Sequence, residues 1–68
     1  MPERTEVGKR LRLERLKRFL TQEDVAKAIG TSKMAICSYE IGDRTPRDEI
    51  KVKLAQFYET TVESLFFT

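Results

Sequence analysis

Histidine is absent from this 68-residue chain, and cysteine occurs once, at Cys37. Without histidine, neither a Cys/His zinc site nor a His-dependent catalytic triad can be assembled. A Gly-rich phosphate loop is missing as well, so the sequence offers no catalytic apparatus, and neither a metal nor another cofactor is expected. A single cysteine excludes an intramolecular disulfide. No apolar run approaches 18 residues and no signal peptide is recognisable, so the expected setting is cytoplasmic. Strand signals are lacking too: no period-2 alternation is bounded by turn residues. Repeats, low-complexity segments and linkers are likewise missing. Residues 1–68 therefore read as one all-α domain. A chain this short buries only about 60% of the surface that its unfolded form exposes, so its core must be built economically from short helices.

What is present is unevenly distributed. Residues 1–20 carry seven Lys/Arg against three Glu, whereas residues 54–68 carry Glu59 and Glu63 and no basic residue. A basic end and an apolar, faintly acidic end point to one side for a polyanion and another for protein, although charge runs on helices often do no more than solvate a face.

Five helices can be placed. The first is expected from about Thr5 to Arg18, with a stripe that starts at Val7 and Leu11 and then meets Glu14, Arg15 and Arg18. Its leucines fall off that stripe, at Leu13 and Leu16. A charge on a core stripe needs a partner, which marks Arg15. Thr21 caps a second helix, and Asp24 three residues on makes an approximate capping box. Val25 and Ile29 form an i, i+4 pair there, and Gly30 ends the helix. Ser32 or Thr31 caps a third helix, in which Ile36, Tyr39 and Glu40 share a face and which Gly42 ends. Thr45-Pro46-Arg47-Asp48 predicts a fourth start, with Thr45 as N-cap, Pro46 at N1 and an acid at N3. Ile50, Leu54, Phe57 and Tyr58 follow at helical spacing. Thr61 caps a last short helix containing Val62, Leu65 and Phe66.

Two helices joined by about three residues with Gly in the turn form a helix-turn-helix, here at about residues 21–41. At this point the sequence, LTQEDVAKAIGTSKMAICSYE at 20–40, resembles the Cro/repressor-type (XRE) family, with a lambda repressor-like fold. Leu20-Thr21-Gln22, Ala26, Gly30, Ile36 and Tyr39-Glu40 stand at that family's spacing. So do Thr45-Pro46 and the closing Thr61-Val62-Glu63-Ser64-Leu65-Phe66, and the likeness spans roughly residues 7–66.

The resemblance implies a structural ion pair between Arg15 and Glu40; otherwise the two are independent surface charges. It also implies that the third helix enters the major groove of double-stranded DNA. By position, Lys33, Met34 and Ser38 become base readers, with Ser32 and Cys37 next. Lys33 suits guanine O6/N7, Ser38 suits several bases, and Met34 suits a thymine methyl. A phosphate-only Lys33 and a partly structural Met34 are the plainer readings. Phosphate contacts fall to Thr21 and Gln22 at a positive helix end, and to Arg44 and Arg47, whose plainer role is surface solvation.

Three features depart from the family pattern. Phe19 stands where Gly is usual, so either the first helix ends differently or Phe19 takes a costly backbone conformation. Ile41 replaces a common Asn, removing a phosphate contact. Leu13 lies opposite Val7 and Leu11. At the C-terminus, Phe66 and Phe67 cannot both point inward, which leaves one of them for a dimer contact or a frayed end. Cys37 fits a small groove-facing side chain better than a redox sensor. The expected function is a sequence-specific DNA-binding regulator of repressor type, phage, mobile-element or bacterial in kind. It would act as a homodimer through the C-terminal region on a near-palindromic operator, with no membrane or small-molecule partner. The competing reading is a protein-docking module on the same fold.

Overall fold

The computed structural model describes residues 2–68. Its helices are α1 (Arg4–Lys17), α2 (Gln22–Ile29), α3 (Lys33–Ile41), α4 (Asp48–Phe57) and α5 (Val62–Phe66), and the described residues contain no strand. α1 lies against α3 and α5, α2 against α3 and α4, and α4 against α5. No described helix is long and apolar enough to cross a membrane.

Hydroxyl side chains start three of the helices. Thr21 accepts the Asp24 N–H at 3.0 Å while Asp24 Oδ2 accepts the Thr21 N–H at 2.8 Å, a complete capping box. Ser32, rather than Thr31, caps α3 by accepting the Ala35 N–H at 3.1 Å. Thr61 caps α5 in the same way through Ser64. Each such cap is worth about 1 kcal/mol. Between α2 and α3, Gly30 turns at φ 78°, and the Gly30 and Thr31 N–H groups both donate to the Ala26 carbonyl at 2.9 Å. A side chain there would strain the backbone even though the space beside it is open.

The start of α4 differs from expectation. Thr45 is not its N-cap and Pro46 is not its first residue; the N-cap is Arg47, extended at φ −65°, ψ 161°, with no side-chain cap bond. Proline's fixed φ suits an extended segment as well as a first helical turn. Here Pro46 is buried, lining with Val7 and Phe66 a cavity of about 190 Å³. Packing therefore decides the boundary.

The end of α1 settles the question that Phe19 raised. Arg18 closes the helix, and Phe19 then adopts φ 57°, the left-handed region. For a residue with a Cβ that conformation costs about 1–2 kcal/mol.

Val7, Leu11, Val25, Ile36, Leu54 and Leu65 lie in one buried cluster, with Tyr58 2% exposed at its centre. Burial first, and then the Glu40 charge, push the Tyr58 hydroxyl up to about 12. Arg18 donates to the Tyr58 carbonyl at 2.7 Å and to the Glu14 carboxylate at 2.8 Å. Burial raises the Glu14 carboxyl, yet its bonds to Arg18 and Lys17 outweigh this and hold it below its usual range. At the C-terminus Phe66 is buried and Phe67 is exposed, with Lys51 Nζ 5.5 Å and 5.1 Å from their ring centres. Arg10 ties α1 to this end by donating to the Ser64 and Leu65 carbonyls at 3.2 Å and 3.4 Å.

Candidate nucleic-acid interface

α3 has two chemically distinct sides. Ala35, Ile36, Tyr39 and Glu40 are buried. Lys33, Met34, Cys37, Ser38 and Ile41 recur at the spacing that puts them on the opposite side. Lys33, Met34 and Ile41 are exposed, Met34 at 78%, while Cys37 and Ser38 are half-buried. The stripe therefore carries one ammonium, one hydroxyl, one thiol and two apolar side chains. Ile41, noted above only as a lost phosphate contact, extends it by a turn. Ser32 is exposed at the head of the helix; its oxygen accepts the Ala35 N–H, which leaves its proton and one lone pair to offer.

The buried side of α3 is held by one strong contact. Arg15 Nε and Nη2 donate to Glu40 Oε2 and Oε1 at 2.7 Å and 2.9 Å, and Arg15 Nη1 donates to the Leu20 carbonyl at 2.9 Å. The bidentate geometry is the strong form of such a pair. The bond to Glu40 raises the Arg15 pKa further, keeping it cationic. Beside this pair the backbones meet at Gly8. A Cβ at that position would run into the Glu40 carbonyl and stand 2.9 Å from the Tyr39 oxygen. Gly8 was missed from sequence, though a lone glycine within a helical pattern is a signal for close approach.

α2 and α3, joined by the three residues Gly30, Thr31 and Ser32, form a helix-turn-helix. The helix-turn-helix family matches residues 11–65, most of the chain. The chain belongs to the Cro/repressor-type (XRE) helix-turn-helix family. It is 41% identical over 51 residues to the cryptic phage CTXphi transcriptional repressor RstR of Vibrio cholerae. That match covers 75% of this chain and 46% of the repressor, so the chain spans about half the length of that relative. An uncharacterized HTH-type transcriptional regulator of Methanocaldococcus jannaschii is 38% identical over 47 residues, covering 69% of this chain and 71% of the regulator. The crystal structure of the restriction-modification controller protein C.AhdI from Aeromonas hydrophila superposes with a TM-score of 0.86 at 28% identity, covering 93% of this chain and 96% of that one.

Around this helix-turn-helix the candidate phosphate groups are placed unequally. The Asp43 and Arg44 N–H groups donate to the Ser38 carbonyl at 2.9 Å and 3.3 Å, which folds the loop tightly back on α3. Arg44 Cζ then sits 5.7 Å from the Tyr39 ring centre. Ser32, Arg44 and Arg47 line one cleft of about 290 Å³, together with Thr31, Tyr39 and Glu49. Lys33, Arg44 and Arg47 form no ion pair among the described residues.

At the other flank, Thr21 and Gln22 are less free than expected. Both the N–H and the hydroxyl oxygen of Thr21 serve the capping box. Gln22 Nε2 donates to Glu40 Oε1 at 3.2 Å, joining the buried ion pair. What remains for an anion is the Thr21 hydroxyl proton, the Gln22 and Glu23 backbone N–H groups and the second amide hydrogen of Gln22. The exposed carboxylates of Glu23 and Asp24 oppose it there; the Thr21 backbone bond, followed by its hydroxyl, holds the Asp24 carboxyl below its usual range.

Proposed function

We propose that this chain is a sequence-specific double-stranded DNA-binding transcriptional regulator that works by occupying promoter DNA and assigns no residue to catalysis. The observation that carries the reading is the outward stripe of α3, which has no ion-pair partner among the described residues and is flanked by Arg44 and Arg47 in one cleft. In this reading α3 lies in the major groove. Lys33, Met34 and Ser38 read base edges, Ser32 and Cys37 assist, and Ile41 adds apolar contact to a thymine methyl. Arg44 and Arg47 hold phosphates on one side; the α2 backbone amides with the Thr21 hydroxyl and Gln22 hold one on the other. The kinship with a phage repressor favours repression in the cytoplasm by a bacterial or phage-encoded protein.

One recognition helix spans only a few base pairs, so the working unit in this reading is a homodimer. Its contact is assigned to the C-terminal region, where Phe67 and Val52 are exposed. Its operator is a near-palindrome with half-sites about 34–36 Å apart. The protein-docking reading draws on the two carboxylates at the head of α2, which repel a phosphate.

Selection of random duplex DNA by the purified chain at physiological salt tests these readings. An enriched inverted repeat is the expected outcome. A single half-site would remove the dimer, and no enrichment would transfer the fold to protein docking.

A further inference from the structure

The outer face of α1 carries exposed apolar side chains separate from those of α3. Leu13 and Leu16 lie one turn apart on it, 58% and 47% exposed, and Phe19, just past the end of the helix, is 95% exposed. These side chains contribute almost nothing to the core. Phe19 also sits at φ 57°, where glycine would be unstrained, and its ring returns no packing within the monomer. Glu59 shares that conformation at φ 55°; backbone strain of this kind clusters at functional surfaces, and at Phe19 it comes with a large apolar ring left in solvent. Around the apolar line, Lys9, Arg12 and Lys17 are all exposed. Lys17 is paired with Glu14 at 3.3 Å, while Lys9 and Arg12 take part in no ion pair among the described residues.

Charge identifies what covers this face. Arg12 and Lys17 border opposite sides of the Leu13 and Leu16 line, so a two-fold antiparallel pairing of α1 with a second α1 sets Arg12 beside Arg12 and Lys17 beside Lys17. A parallel pairing sets Arg12 of one copy beside Lys17 of the other. Like charges so placed oppose association, so a second copy of this chain is a poor occupant. A large apolar line bordered by cations fits an amphipathic helix whose apolar stripe is bordered by Asp or Glu, the helix-on-helix mode of recognition. We propose that the outer face of α1, with Leu13, Leu16 and Phe19 as apolar anchors and Lys9 and Arg12 as charge partners, docks an acidic amphipathic helix of another protein. This surface is separate from α3 and does not depend on the DNA reading.

A displayed library of random short peptides, selected against the full chain, tests it. The expected winners combine Asp or Glu with Leu, Phe or Trp at helical spacing, and bind more weakly as salt rises. Phe19→Gly and Leu16→Ser should each weaken the best winner by about tenfold or more, a loss near 1.4 kcal/mol. Phe19→Gly should at the same time raise the melting temperature by a few degrees, because it removes the left-handed strain. That opposition of signs separates a docking role from a structural one. The proposal is overturned by winners without acids, by no winners, or by winners that bind both variants undiminished. Binding of phosphatidylserine vesicles in place of peptides, lost in the same variants, would assign the face to a membrane surface instead. Leu16-dependent dimerisation in sedimentation would assign it to self-association. Duplex-DNA selection with Leu16→Ser reports on α3 separately, so failure of one reading leaves the other standing.

Discussion

On its inner side α3 sets Tyr39 and Glu40 hard against Gly8 and Arg15, with no room for one added carbon. On its outer side Lys33, Met34 and Ile41 stand in solvent without an ion-pair partner. The nine residues of α3 thus divide into two faces of different chemistry. The inner seam tolerates little because a buried charge pair and a backbone-to-backbone contact are both unforgiving of change. The outer stripe is free to vary because nothing in the monomer leans on it. Substitutions in the seam should therefore be read in stability, and those in the stripe in binding preference.

The contrast is broken most forcefully at Glu40. Replacing it with alanine leaves the Arg15 guanidinium buried and Gln22 without its acceptor, and should destabilise the fold by about 3–5 kcal/mol in denaturant titration. Gly8→Ala comes next. The new methyl must push α1 from the Glu40 carbonyl, at about 1–3 kcal/mol in the same titration; a change within experimental error would show that the helices are not seated as described. Alkali attacks the core from Tyr58. Because burial raises that hydroxyl to about 12 from an ordinary value of 10.0, its contribution is intact below pH 10. It should fall progressively as pH climbs from 10 to 12, and Tyr58→Phe should flatten that decline in thermal melts.

The stripe sharpens the other half of the contrast. Lys33→Ala and Ser38→Ala should alter stability by less than about 0.5 kcal/mol. Each should nonetheless change the selected DNA sequence, worth about 1–3 kcal/mol of discrimination. Identical selected sequences for both variants would remove these two residues from the base-reading set. Arg44→Ala is the mildest case. It should weaken all duplexes alike and shallow the salt dependence by about one ion; a change in preference without a change in slope would make Arg44 a reader.

Much of this was visible in the residues themselves. Caps at Thr21, Ser32 and Thr61 and the turn at Gly30 are local chemistry, decided within four residues, and each is where hydroxyl or glycine placement puts it. What escaped depends on distant neighbours. Thr45-Pro46 carries a helix-start signal, but burial of Pro46 beside Val7 and Phe66 draws it out of the helix. Gly8 has an ordinary helical conformation, and only the approach of α3 makes a side chain impossible there. The engagement of Gln22 with Glu40 is likewise tertiary, and it removes from the candidate phosphate flank a group that sequence position alone assigns to it. Phe19 left two outcomes open because its φ depends on how tightly α1 and α2 are joined.

The bond from Gln22 to Glu40 has a mechanical side. Glu40 Oε1 receives both Arg15 and Gln22, so the base of α1, the head of α2 and the tail of α3 converge on one atom. Through that atom the orientation of α2 is tied to that of α3. In the proposed DNA-binding reading, whatever seats the head of α2 also constrains the angle at which α3 is presented.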